Sequence, residues 1–236
     1  PYNWDALIDW KESNGMTATK VTVERIVACP DYWNPNPIFN DTQALIREFI
    51  KDAYMDWGTE YILLGGDADG ADVGGESGDN IVPTRLLYAF NYENDEDDFI
   101  ASDFYYSCLD GNYNYDQDDK WGEPNDGENG GEVDFYAEVY VGRAPVDSAT
   151  ELSNFVRKTI EYGNSNDQYL QKVLLVGEKL DNNPTWGGNY KDEIIDGSTA
   201  NGYVTTGIPS SDYSIDTLYD RNHIWSKSEL ISKINS

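Results

Sequence analysis

Between Asn112 and Glu123 the side-chain oxygens alternate. Asn112, Asn114, Asp116 and Asp118 fall at positions 1, 3, 5 and 7 of a segment that ends on Glu123 at position 12. In a Ca2+ loop alternate residues turn inward and a terminal Glu binds through both oxygens, so this spacing predicts a calcium site. Two departures bear on affinity. Gln117 stands at position 6, where glycine ordinarily makes the sharp turn, and Asn replaces Asp at positions 1 and 3. The competing reading is a solvated cluster of Asp and Asn turns. An excursion this acidic needs a cation to offset its own repulsion, which favours the metal.

A second, weaker group is Asp67, Asp69 and Asp72, just beyond an apolar run at Tyr61–Gly66. The carboxyl ends of parallel strands are where α/β sheets place ligands, yet the spacing fits an acidic turn better than a second Ca2+ site. Glu178 occupies the same kind of place after the run Lys172–Gly177. A carboxylate there can orient a catalytic imidazole, bind a substrate cation, or simply cap a helix. His223 is the only histidine, and Cys29 and Cys108 are the only cysteines. Neither thiol has a neighbouring histidine in sequence, and they could equally be one disulfide or two small hydrophobes. There is no C-x-x-C, which argues against zinc, and no G-x-S-x-G for a seryl hydrolase.

The elements that must position these groups follow from periodicity. An amphipathic helix is expected over Tyr2–Asn14, stopped by Gly15, then a β-branched strand over Lys20–Val23. Asp31–Pro37 reads as a loop. Asp41 caps a helix to Trp57 that ends at Gly58. The run at Tyr61–Gly66 predicts a parallel strand buried on both faces. From Asp67 to Asp134 the chain turns acidic and glycine-rich, too long for a plain connection. A strand over Glu138–Arg143 is followed by a helix capped by Asp147 or Ser148 and running to Tyr162. A polar joint at Asn164–Asp167 precedes a strand at Lys172–Gly177, a helix over Tyr190–Thr199, a strand at Ser214–Tyr219 and a helix from Ser226. Alternating strands and helices imply a parallel α/β sheet. No repeats are evident.

Composition narrows the function. The 236 residues carry a formal net charge of −28, so the chain has too few cations to replace the counterions of a nucleic acid. The acidity fits a solvated surface, Ca2+ ligation or adaptation to high salt. Aromatic residues at 14% argue against disorder. No apolar run approaches a membrane span. The chain starts abruptly inside a helical pattern at Pro1, which reads as a trimmed N-terminus.

Several segments, taken in order, resemble the gingipain-type cysteine peptidases (peptidase family C25). They are Trp10–Gly15, Tyr61–Asp67, Ile81–Arg85, Ser102–Gly111, Val133–Pro145, Phe155–Tyr162 and Trp186–Asp192. Together they span nearly the whole chain, and their order and spacing carry the likeness. The resemblance implies a caspase-like fold, a Cys-His dyad and structural calcium. In such enzymes the histidine stands in a His-Gly and the nucleophile in an Ala-Cys, on strands expected after Ile234–Ser236. Glu178 matches the family's active-site Glu that assists the histidine. Asp110 to Glu123 resembles the acidic calcium loop of many relatives, which adds Asp110 to the candidate ligands. The Asp of arginine-directed members would fall near Gly188, so arginine specificity is not implied.

The expectation is therefore an N-terminal gingipain-like subdomain over residues 1–165, carrying the acidic insertion 67–134. Residues 166–236 would form the first half of a caspase-like catalytic subdomain. The chain would belong to a secreted or cell-surface cysteine endopeptidase, binding Ca2+ and acting on peptide or protein substrates. Its partner would be the remainder of the peptidase, with no nucleic acid and no membrane span. Alone, lacking the catalytic His and Cys of the dyad, it would be inactive. The alternative is a catalytically inert, calcium-stabilised extracellular module.

Overall fold

The computed structural model describes residues 3–69, 80–91, 96–124, 126–127, 136–183, 185–202 and 204–235. The chain divides into two compact units, Pro1–Gly163 and Asn164–Ser236.

In the first unit the elements run α1 (Asp5–Ser13), α2 (Val23–Val27), α3 (Thr42–Trp57), β1 (Tyr61–Gly65), β2 (Arg85–Asn91), β3 (Glu96–Ser102), β4 (Tyr140–Ala144) and α4 (Ala149–Asn164). The anchoring helix is α3. The Asp41 carboxylate accepts from the Ala44 N–H at 2.8 Å, and Gly58 closes the other end with φ 66°. Both are the expected signals, because an Asp cap satisfies an orphan donor and glycine tolerates the left-handed stop. Ser148 caps α4 by accepting from the Glu151 N–H at 3.2 Å, while Glu151 reaches back to the Asp147 N–H at 3.0 Å.

β1 pairs with β4 in parallel, Tyr61 opposite Tyr140 and Gly65 opposite Ala144. The expected burial of β1 on both faces is not what is seen. Leu64 is buried, but Tyr61 and Leu63 are exposed, so the pair covers a core with one face only. The predicted strand at Lys20–Val23 is also corrected. The Thr22 hydroxyl accepts from the Arg25 N–H and starts the short helix α2, so a local cap overrides the β-branched run. Inside the acidic excursion β2 and β3 form an antiparallel hairpin, Arg85 opposite Ser102.

The main core of this unit gathers Leu45, Ile46 and Ile50 of α3 with Leu64, Tyr105, Tyr106, Cys108 and Tyr113. Two arginines lie within it. Arg47, 1% exposed, donates to the carbonyls of Cys108, Asp110 and Gly111 at 2.7–3.2 Å and sits 5.0 Å from the rings of both Tyr105 and Tyr113. Arg85 grips Asp41 through two bonds of 2.7 and 2.8 Å and lies 3.7 Å from the Trp121 ring centre. These buried guanidiniums are tolerable because carbonyls, a carboxylate and aromatic faces replace water. A smaller cluster joins Leu7 of α1 to Leu152 and Val156 of α4.

The second unit runs β5 (Lys172–Gly177), α5 (Gly187–Asp192), β6 (Ser214–Tyr219) and α6 (Lys227–Ile234). β5 and β6 pair in parallel, Lys172 opposite Ser214 and Gly177 opposite Tyr219. The helix expected over Tyr190–Thr199 lies instead at Gly187–Asp192. Asp196 and Gly197, both at positive φ, turn the chain back so that Ser198 bridges Thr205. The Ser226 hydroxyl caps α6 by accepting from the Glu229 N–H at 3.3 Å. No helix among the described residues is long and apolar enough to cross a membrane.

Candidate calcium loop and strand-tip carboxylate

Arg47 fixes where the acidic loop begins. By binding the carbonyls of Asp110 and Gly111 it ties the loop's first residues to α3. From there short Asx turns carry the chain. Asn112 Oδ1 accepts from the Asn114 N–H at 2.9 Å, and Asp118 Oδ1 accepts from the Lys120 N–H at 2.7 Å. Gln117 has φ 64°, the left-handed turn that the position ordinarily assigns to glycine. A side chain held there costs roughly 1–2 kcal/mol. Its amide oxygen accepts from the Asn36 side chain at 2.8 Å, which offsets part of that cost.

The turn brings acids together. Asp116, Asp118 and Glu123 each present a carboxylate oxygen, all within 4.8 Å of one another, and they are the only such trio among the described residues. Asn114 is completely buried, with its Nδ2 donating to the Asp118 carbonyl at 3.0 Å and its Oδ1 left without a hydrogen-bond partner. A buried amide oxygen without a donor, in the same loop as three convergent carboxylates, is the kind of ligand a hard cation takes. Asn112 and Asp110 stand at the loop's entrance, Asn112 engaged in its turn and Asp110 exposed.

Electrostatics fit that view. Burial holds the Glu123 carboxyl above its ordinary range, and the charges of Asp118, Asp116 and Asp126 add to it. The ammonium of Lys120 is 3.9 Å from Glu123 and 2.8 Å from Asp97 of β3, so the nearest cation is shared with the hairpin. Asp126, which the spacing did not single out, organises the loop. It is fully buried and accepts from the main-chain N–H groups of Tyr115, Gly122 and Glu123 at 2.9–3.1 Å. Burial still pushes its carboxyl up, because desolvation outweighs those three bonds.

The second acidic group is looser. Asp67 Oδ1 is buried without a partner, and burial, then Asp69 and Asp147, raises the Asp67 carboxyl. Asp72 lies outside the described residues.

In the second unit Glu178 is the first residue beyond β5, and its side chain is exposed. Three glycines build its surroundings. Gly177, Gly187 and Gly188 let α5 approach the strand so closely that a Cβ on Gly188 would meet the Tyr219 ring at 2.7 Å. The Gly187 N–H donates to the Glu178 carbonyl at 2.8 Å. The tip is thus lined by glycines, with the Glu178 carboxylate exposed on it. His223 Nε2 lies 2.8 Å from Glu229 Oε1 at the start of α6, on the exposed surface. Cys108 is buried in the first unit's core, and Cys29 stands partly exposed with Sγ 3.9 Å from Asp31 Oδ2; no disulfide joins them.

Compared with known proteins, the chain matches the family model described as "Peptidase family C25" over residues 3–235. Searches of the curated proteins and of the solved structures return no match.

Proposed function

The chain belongs to peptidase family C25, and from that premise we propose that it is the N-terminal subdomain and the first half of the catalytic subdomain of a Cys-His endopeptidase. The carrying observation is the β5–β6 tip. Here an exposed carboxylate, Glu178, stands at the carboxyl end of a parallel pair with unpaired outer edges among the described residues. Parallel strands are ordinarily covered on both faces and flanked by further strands. Strands added beside this pair would bring a histidine and a cysteine to the tip.

In this reading the histidine withdraws the thiol proton, and the thiolate attacks the carbonyl carbon of the scissile peptide. The same imidazole then returns the proton to the departing amine. Glu178 accepts a hydrogen bond from the far ring nitrogen and so fixes the tautomer that can act as base. The Asp116, Asp118 and Glu123 carboxylates, with the Asn114 amide oxygen, hold Ca2+, which neutralises the acidic loop and keeps it folded on α3. Substrates are peptide bonds of proteins in a secreted or cell-surface setting.

The test compares this chain with the intact peptidase on a fluorogenic peptide. The intact enzyme should turn over and this chain alone should not. Turnover by the chain alone, abolished by Cys29→Ala or Cys108→Ala, would overturn the proposal. An intact polypeptide with no activity would leave a calcium-stabilised inert module.

A further inference from the structure

We propose that Asp220 is a positioning residue for Glu178, an inference that rests on the reading of Glu178 as the carboxylate that orients the dyad histidine. Asp220 directly follows β6 and is partly buried against the tip of β5. Its main-chain N–H donates to the Gly177 carbonyl at 2.9 Å, which carries the strand pairing one bond past Tyr219. Its carboxylate Oδ2 accepts from the Lys179 N–H at 3.0 Å, and Oδ1 lies 3.4 Å from the Trp225 N–H.

These bonds hold both peptide planes that flank Glu178. The Gly177 carbonyl belongs to the plane before it, and Asp220 anchors that plane through its own N–H. The Glu178 carbonyl and the Lys179 N–H belong to the plane after it. Gly187 holds the first of these groups at 2.8 Å and the Asp220 carboxylate holds the second. With both planes fixed, φ and ψ of Glu178 are fixed, and so is the direction of its Cα–Cβ bond. An exposed Glu otherwise gains little orientation from packing. Here the orientation comes from the backbone, and a carboxylate acceptor gives the stronger, charge-assisted bond to the Lys179 N–H.

The experiment uses the intact peptidase and reads kcat/KM against pH. Glu178→Gln should lower kcat/KM at least about tenfold and move the acidic limb of the profile, since the imidazole loses its orienting partner. Asp220→Ala should lower it in the same sense and move the same limb. In the double variant Asp220→Ala should add little, leaving activity within about twofold of Glu178→Gln alone. Asp220→Asn, which keeps an acceptor for the Lys179 N–H, should restore most of the activity and the limb. Should Asp220→Ala lose its cooperative melt, Asp220→Ser replaces it. Its hydroxyl falls short of the Lys179 N–H while the main-chain bond to Gly177 remains, and it must show the same coupling.

Losses that multiply in the double variant with no movement of the limb overturn the inference while leaving Glu178 its role. A Glu178→Gln enzyme with parental activity and profile overturns the underlying reading instead.

Discussion

In the first unit Leu45, Ile50, Tyr105, Tyr106 and Tyr113 are each no more than 1% exposed, whereas in the second only Leu218 and Tyr219 are buried apolar side chains among the described residues. Helix α6 has no buried residue, and Ile231 and Ile234 on it stay exposed, as does Ile224 before it. Burying a side chain such as Ile contributes about 1.5–3 kcal/mol. The first unit therefore has a driving force of its own. The second has strands, caps and glycine contacts already shaped, but little apolar area withdrawn from water. Its apolar side chains Ile224, Ile231 and Ile234 stay in contact with water rather than in a core.

The largest effect is expected on separating the units. Residues 1–163 should fold cooperatively, while residues 164–236 should show neither a cooperative melt nor resistance to proteolysis. A sharp unfolding transition for the second piece would show that its exposed apolar face needs no cover.

The next effect is smaller. Arg47→Met removes a buried guanidinium that donates to the carbonyls of Cys108, Asp110 and Gly111, and should cost about 3 kcal/mol in denaturant unfolding. Arg221→Met, which removes the more exposed pairing with Asp192 at 2.5 Å in the second unit, should cost no more than about 1 kcal/mol. Equal losses would contradict the contrast between a closed and an open core.

Calcium tests the acidic loop alone. At a hundred times the dissociation constant, binding to the folded state should add about 2.7 kcal/mol, and Asp116→Ala with Glu123→Ala should abolish the gain. The pH dependence has a definite sign. The carboxyls of Glu123 and Asp126 have folded-state pKa values above their unfolded ones. Without cation, the folded form therefore binds their protons more tightly. Stability then falls as pH rises from the unfolded value to the higher folded one, and is level beyond it. Ca2+ binds the ionised carboxylates, so its contribution should grow across that same window. A melting temperature that responds to Ca2+ equally on both sides of the window would contradict the assignment.

Smallest is the glycine contrast. Gly188→Ala drives a methyl toward the Tyr219 ring and should cost about 1–3 kcal/mol. Gly142→Ala on β4, with nothing within 4 Å of the added carbon, should be neutral or gain a few tenths. Melting of the two variants checks both.

Much of this was legible in the sequence where the signal is local. Asp41 and Gly58 bound α3, the apolar runs gave β1 and β5, and Ser226 began α6, because caps and short strands depend on neighbouring residues. The alternate oxygens of the acidic loop are likewise a property of spacing, and three of them, on Asp116, Asp118 and Glu123, converge. The errors are also physical. Lys20–Val23 reads as a strand by its β-branched side chains, but one hydroxyl at Thr22 starts a helix. The hairpin was hidden because β3 opens on Glu96, Asp97 and Asp98, residues that no strand preference flags and that here face solvent. Asp126 and Asp220 were invisible for another reason. Each acts on backbone groups, Asp126 as far as 11 residues away and Asp220 41 residues away, and pairings across such spans leave no mark on periodicity.

The proposed function requires further strands to complete the β5–β6 sheet and bring the reactive thiol and imidazole to Glu178. Amide hydrogen exchange across Lys172–Gly177 and Ser214–Tyr219 tests it most directly, comparing this chain alone with the intact peptidase. Exchange should slow at least about a hundredfold in the intact protein, as open edges gain partners. Equal exchange in both would mean that nothing docks there, and the account of the catalytic tip would be wrong.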